Sequence, residues 1–269
     1  MTAPAKQRPA GQGDDISLIA LSKSFGGVAA VRDCTVEIAA GCVTGIVGPN
    51  GAGKSTIFNL MTGFVVPDKG QVLFRGANLV GRSPAQIFRA GIVRSFQGVR
   101  TLGRLTVIEN LLLGGTAATA LATVFRPRRD RSELQVAVAR AWSVLAELGL
   151  EPAANRLAGG LSYAEQKLLS IGRLIMTDAP VVLLDEPLGG LDSNTIDQFI
   201  DRVRDLVLSH GRTVCIVEHN LNAVRRIADN VVFMAEGAVK AVGPTAEIMQ
   251  REDLARLYLG VVPEAKDVA

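Results

Sequence analysis

The sequence predicts an α/β protein in which parallel strands alternate with helices. Three observations carry that expectation. First, Val43-Thr44-Gly45-Ile46-Val47, Val181-Val182-Leu183-Leu184 and Thr213 to Val217 are short, largely apolar and rich in β-branched residues, as strands covered on both faces require. Second, a glycine-rich turn follows the first of these runs at Gly48, and helix-forming sequence resumes from Lys54 to Met61. Third, a helix spanning roughly Thr195 to Leu208 separates the second run from the third.

The remaining elements follow in chain order. Met1 to Gly13 is rich in Ala, Pro and Gln, lacks an apolar stretch and reads as a disordered tail, so positions 1–14 are set apart. Helix and strand alternate from near Ile16. Between Thr101 and Gly160 no strand pattern occurs; Leu134, Val138, Ala141, Val144, Leu145 and Leu148 recur at three- and four-residue steps, which is one face of a helix. Positions 101–160 are therefore expected to be a helical subdomain inserted into the α/β core. Val231 to Met234 and Ala238 to Val242 flank Glu236-Gly237 and predict a hairpin.

Composition narrows the class. The chain has 269 residues, 48% of them apolar and 20% charged, enough for one large domain or two small ones and for a core without staples. Disordered and collagen-like chains are excluded by that apolar fraction and a net charge of only +3. Despite a mean hydropathy of +0.27, the longest charge-free stretches, Ile38–Gly53 and Asn110–Phe125, have 16 residues each and contain Gly. A spanning helix needs roughly 20 mostly apolar residues, so a soluble chain is expected. Cys34, Cys42 and Cys215 are odd in number and lack metal-ligand spacing, which predicts buried thiols in a reducing compartment. The charge is uneven: Arg82 to Arg140 holds ten Arg, no Lys and three acids, and Arg126-Pro127-Arg128-Arg129-Asp130-Arg131 reads as a solvated loop or a lipid-headgroup contact.

Gly48-Pro49-Asn50-Gly51-Ala52-Gly53-Lys54-Ser55 satisfies G-x-x-x-x-G-K-[ST], with an apolar strand before it and a helix (from Lys54, including Thr56) after it. Glycines let backbone N–H groups turn inward, and the helix N-terminus adds positive potential, so the loop attracts phosphate oxygens. Lys54 is placed to reach the β- and γ-phosphates and Ser55 to offer its hydroxyl to Mg²⁺. Asp185 and Glu186 end the strand at Val181 to Leu184, on the edge where open α/β sheets bind ligands. Asp185 suits a Mg²⁺ ligand through water, and Glu186 suits a group that polarises the attacking water. The Asn-Lys-x-Asp motif of guanine-specific proteins is absent, and no kinase-like substrate lid is identifiable.

Leu161-Ser162-Tyr163-Ala164-Glu165-Gln166-Lys167 precedes a helix and then the acid pair. Here the chain resembles an ABC-transporter ATP-binding subunit, whose signature reads L-S-G-G-[QE]. Further residues fit: Gln97 in Ser95-Phe96-Gln97 as the Q-loop, Leu191-Asp192 as the D-loop, His219 in Val217-Glu218-His219 as the switch histidine, and Phe25 where an aromatic stacks on adenine. The resemblance runs from about Ile16 to Gly243. It implies a RecA-like P-loop NTPase core with an N-terminal antiparallel β portion, an ATPase domain over 15–243 and a C-terminal helical tail over 244–269. It also implies ATP and Mg²⁺ as ligands, with Ser55, Gln97 and Asp185 on the metal and Glu186, His219, Gln97 and Lys54 in hydrolysis.

Some residues carry a second reading. Phe25 also suits a core aromatic, His219 a loop histidine, and Asp192 the N-cap of the next helix. Ser162 and Glu165 fit a capping box, which aims a helix N-terminus at an anion. Tyr163 and Ala164 stand where the signature has two glycines, and the Ala methyl bears on how closely a nucleotide can approach.

In the family the signature of one subunit closes head to tail over the P-loop nucleotide of another. One chain carries one of each, so a second ATP-binding subunit is implied. Arg94 to Asn110, the Leu-Ser-Tyr signature and the tail ending Leu257-Tyr258-Leu259-Gly260 look like the branched-chain amino acid import subfamily. That resemblance implies two transmembrane permeases, an external solute-binding protein and a peripheral place on the cytoplasmic face of the membrane. ATPases for lipopolysaccharide export or for urea, amide or aromatic-acid import share many of these features. ABC ATPases acting on nucleic acid fit less well, because Phe88, Phe96 and Phe125 offer no stacking series and no long coiled coil separates Lys54 from Asp185.

Overall fold

The computed structural model describes residues 14–95, 101–116 and 131–258. The tail expected over 1–14 lies outside them except Asp14, as do Phe96, Gln97, the loop at 126–130 and the last residues, 259–269.

Two sheets form the frame. β1 (Asp14–Phe25) and β2 (Val28–Ala39) are long antiparallel strands, and β4 (Lys69–Phe74) and β5 (Ala77–Asn78) complete a four-stranded sheet in the order β2-β1-β4-β5. The second sheet has six strands, β10-β9-β3-β8-β7-β6. β3 (Val43–Val47), β6 (Ile92–Arg94), β7 (Val181–Asp185), β8 (Thr213–Val217) and β9 (Asn230–Ala235) run parallel; β10 (Ala238–Pro244) pairs antiparallel with β9. All residues of β3, β7 and β8 are buried, which is why their sequences lack a polar face.

Alternate residues of the parallel strands serve two cores. Val181, Leu183, Cys215 and Val217 face Ile16, Leu18 and Val36 of the antiparallel sheet, with Ile57 and Phe58 of α1 (Lys54–Met61). Val182, Leu184, Val214 and Ile216 face the helical side, α5 (Tyr163–Met176), α6 (Ser193–Leu208) and α7 (Leu221–Ile227). The α/β expectation holds, but helix–strand alternation begins at β3 rather than near Ile16. Residues 14–39 are a β hairpin around Gly26-Gly27, whose inward residues alternate with polar ones. β5, β6 and α2 (Pro84–Ala90) are too short to announce themselves by periodicity, and β4 buries only Val72 and Phe74, so it shows no apolar run.

α3 (Val107–Thr116) and α4 (Arg131–Leu148) make the helical layer, together with α5. A Cβ at Gly172 of α5 would come within 2.7 Å of Leu111 and Leu148 and within 3.3 Å of Val144, so glycine there sets the close approach of the three helices. The helical part thus continues past 160, because α5 supplies its apolar face. The carbonyls at the end of α5 are taken up by cations: Arg212 donates to Leu174 O at 2.7 Å and Ile175 O at 2.6 Å, and Arg140 to Ile175 O at 2.9 Å. α8 (Thr245–Ile248) and α9 (Glu252–Tyr258) close the described chain. Cys34 and Cys215 are buried, whereas Cys42 is only half-buried, since it lies in the turn ahead of β3. No helix among the described residues is long and apolar enough to cross a membrane.

Candidate functional site

The site lies at the carboxyl ends of β3, β7 and β8. From β3 the chain enters the loop Gly48–Gly53 and then α1, whose N-cap, Gly53, provides no side-chain cap. The N-terminal amides of α1 therefore remain available to a ligand. The loop needs glycine for room as well as conformation. At Gly48 (φ 151°) a Cβ would sit 2.0 Å from Met234 O, and at Gly53 (φ 95°) 2.3 Å from Ala30 O. Lys54 is buried, with Nζ donating to Gly48 O at 2.8 Å and Pro49 O at 2.9 Å. Burial lowers its pKa, and the charges of Glu186 and Asp185 partly restore it. Ser55 is exposed on the first turn of α1.

Asp185, the last residue of β7, is 2% exposed. Its Oδ2 accepts from Arg94 at 2.5 Å, and its N–H donates to Ser95 Oγ at 3.0 Å. Arg94 also reaches Asn59 Oδ1 on α1 at 2.7 Å. Asp185 Oδ1 is buried without a hydrogen-bond partner. A carboxylate oxygen in that condition, on the strand edge beside a loop built for phosphates, fits a Mg²⁺ site.

Glu186 follows with φ 46°, a left-handed turn rare for a non-glycine residue, pinned by its N–H on Val217 O at 2.9 Å. The turn brings Oε1 to 2.5 Å from His219 Nε2. A carboxylate only accepts, so Nε2 carries the proton in this pair. Buried Glu218 precedes His219; its Oε1 accepts from Leu188 N at 2.7 Å and its Oε2 from His219 N at 3.1 Å. Burial raises its pKa, against the pull of those amides.

Lys54, Asp185, Glu186 and His219 thus meet in one place. Phe25 ends β1, 48% exposed with Lys23 Nζ 5.5 Å from its ring, so it is no core aromatic. The capping box at the signature is present: Glu165 N donates to Ser162 Oγ at 3.2 Å and Ser162 N to Glu165 Oε2 at 2.7 Å, which lowers the Glu165 pKa. Tyr163 leans toward the D-loop, its hydroxyl donating to Gly189 O at 3.2 Å and its ring lying over Gly190, while Ala164 is half-buried. Asp192 caps α6 by accepting from Thr195 N at 3.0 Å and Thr195 Oγ1 at 2.8 Å, which lowers its pKa. Gln97 lies outside the described residues. Sequence reasoning missed Arg94, Asn59 and Glu218, which sit inside or near quoted motifs but carry no spacing signal of their own.

A model of the ABC transporter family matches residues 31–189, more than half of the chain. The chain belongs to the ABC transporter family. It is 36% identical over 252 residues to the high-affinity branched-chain amino acid transport ATP-binding protein LivG of Escherichia coli K12, covering 91% of this chain and 97% of that protein. The ADP conformation of MJ1267, an ATP-binding cassette of an ABC transporter, superposes with a TM-score of 0.80 at 30% identity, covering 92% and 99% of the two chains. Dimeric MJ0796, a bacterial ABC transporter cassette, gives 0.69 at 26% identity, covering 86% and 98%. The fold is that of an ABC cassette, and the chain is the ATPase subunit of an ABC transporter.

Proposed function

We propose that the chain hydrolyses ATP in a head-to-tail dimer with a second ATP-binding subunit, driving import of branched-chain or related small amino acids and amides. The substrate class rests on one observation, the likeness to LivG across 97% of that protein's length. The ATPase would be held peripherally at the cytoplasmic face by two permeases, which receive solute from an external binding protein. A cleft of about 320 Å³, lined by Phe64, Ile87, Phe88, Leu113, Leu174 and Arg173, supports a docking place for a short permease helix. Its floor includes β6, the strand that leads to Gln97.

Within the dimer, Gly48 to Thr56 (through Pro49, Asn50, Gly51, Ala52, Gly53 and Ser55) cradle the triphosphate, and Lys54 turns from two carbonyls to the β- and γ-phosphates. Phe25 offers its exposed face to adenine. Glu186 holds and polarises the attacking water, while His219 donates toward the γ-phosphate from Nε2. Ser55, Asp185 and Gln97 would hold Mg²⁺, which supplies charge neutralisation on the phosphates when bound. Ser162 to Glu165, through Tyr163 and Ala164, face the nucleotide of the partner subunit with the helix N-terminus, and Asp192 borders the same interface.

Glu186→Gln in the assembled transporter tests the mechanism: ATP still binds, the dimer stays closed, and hydrolysis falls at least about 100-fold. Unchanged hydrolysis overturns the assignment of Glu186. Uptake of labelled leucine by membrane vesicles tests the substrate: absence of ATP-dependent uptake would sink the import reading, and uptake that survives Glu186→Gln would sink its coupling to hydrolysis at Glu186.

A further inference from the structure

The last described helix ends on the loop that carries His219. α9 packs against β9, and the hydroxyl of its final residue, Tyr258, donates to the backbone oxygen of His219 at 2.5 Å. The same short loop is held from two other directions. Buried Glu218 accepts both from Leu188 N, in the stretch after Glu186, and from the His219 amide. Asn220 accepts from Ala223 N at 3.1 Å and caps α7. The His219 imidazole then reaches Glu186 at 2.5 Å. A phenol on a helix far along the chain is thus linked through His219 to the Glu186 carboxylate just after β7.

We propose that Tyr258 is a positioning residue for hydrolysis, its hydroxyl fixing the His219 carbonyl so that the imidazole stands against Glu186. The inference rests on the reading of His219 as a group that acts on the bound nucleotide. Glu218 and Leu188 anchor the loop from the core side, whereas its exposed side is held by Tyr258. Without that bond the His219 carbonyl turns to water, and the imidazole samples orientations away from Glu186. Burial and the neighbouring Glu218 raise the Tyr258 pKa, so the phenol remains a donor throughout the working range. The ring itself packs on the main core, so the hydroxyl can be removed while the packing stays.

The test is a double-mutant cycle in the assembled transporter with Tyr258→Phe and His219→Ala. Tyr258→Phe is expected to lower kcat about five-fold, as loss of one hydrogen bond at the acting group would, with the ATP KM within about two-fold of the parent. In the His219→Ala background the same change is expected to have no further effect. A parental rate for Tyr258→Phe overturns the proposal, as does an equal fall in both backgrounds. His219→Ala at the parental rate overturns the reading of His219 itself, and the proposal with it. On the chain alone, amide exchange over residues 217–221 is expected to quicken about five-fold in Tyr258→Phe, and unchanged protection there counts against the proposal.

Discussion

Asp185 divides its carboxylate between two fates: Oδ2 meets the Arg94 guanidinium at 2.5 Å, while Oδ1 is buried without a partner. The Arg94 side chain is itself 14% exposed, so this is an ion pair largely removed from water. Removing one member leaves the other charge uncompensated. Arg94→Ala is expected to cost about 3 kcal/mol in urea unfolding. Pairing Arg94→Met with Asp185→Asn is expected to recover most of that loss, since neither charge of the pair is then left buried without the other. A single Arg94→Ala variant within about 0.5 kcal/mol of the parent would contradict the pairing.

The phosphate loop separates two roles of glycine. At Gly48 an added Cβ meets Met234 O at 2.0 Å, whereas at Gly51 (φ 78°) it enters open space. Gly51→Ala therefore costs only backbone strain, about 1–2 kcal/mol. Gly48→Ala must also push β9 away from β3 and is expected to cost at least about twice as much. Thermal unfolding of the two variants decides this, and equal shifts would mean that β9 yields easily.

Much of this was legible from the residues alone, for identifiable reasons. The buried strands β3, β7 and β8 show in sequence because both faces need apolar side chains. Helix α1 starts at Lys54 because the loop motif fixes it there. Hidden from sequence were contacts made by residues with no local pattern: Arg94 to Asp185 across 91 positions, and Tyr258 to His219 across 39. Phe25 lay between, since an aromatic after Ser24 reads equally as core or surface, and only its 48% exposure decides.

The cysteines report on the same packing. Burial, with the charge of Asp33 adding to it, pushes the Cys34 thiol up to about 12, and burial also raises Cys215. Neither forms thiolate near pH 8, and neither is reachable. Labelling of the native protein with a thiol reagent at that pH is expected at half-buried Cys42 first, with the other two reacting only in denaturant. Early modification of Cys34 would mean that the antiparallel sheet opens locally.

Ser162 holds two functions that substitution can pull apart. It accepts from Glu165 N and so caps α5, and it stands where the signature would meet a nucleotide. Ser162→Ala removes the cap and is expected to cost about 1 kcal/mol. Ser162→Asp caps equally well, keeps stability within about 0.5 kcal/mol, and places a negative charge against the phosphates of the partner's nucleotide. Hydrolysis by the assembled transporter should then be lost although the fold is intact. The capping partner adds a pH signature. Its hydrogen bonds from Ser162 hold the Glu165 pKa below its ordinary value of 4.5, so the box contributes fully above that value and is lost as pH falls through the folded one. Glu165→Gln keeps an acceptor that does not titrate, so its stability curve should be flatter than the parent's below about pH 4.5. Parallel curves would remove the box from the acid response, and full hydrolysis by Ser162→Asp would take Ser162 out of the nucleotide interface.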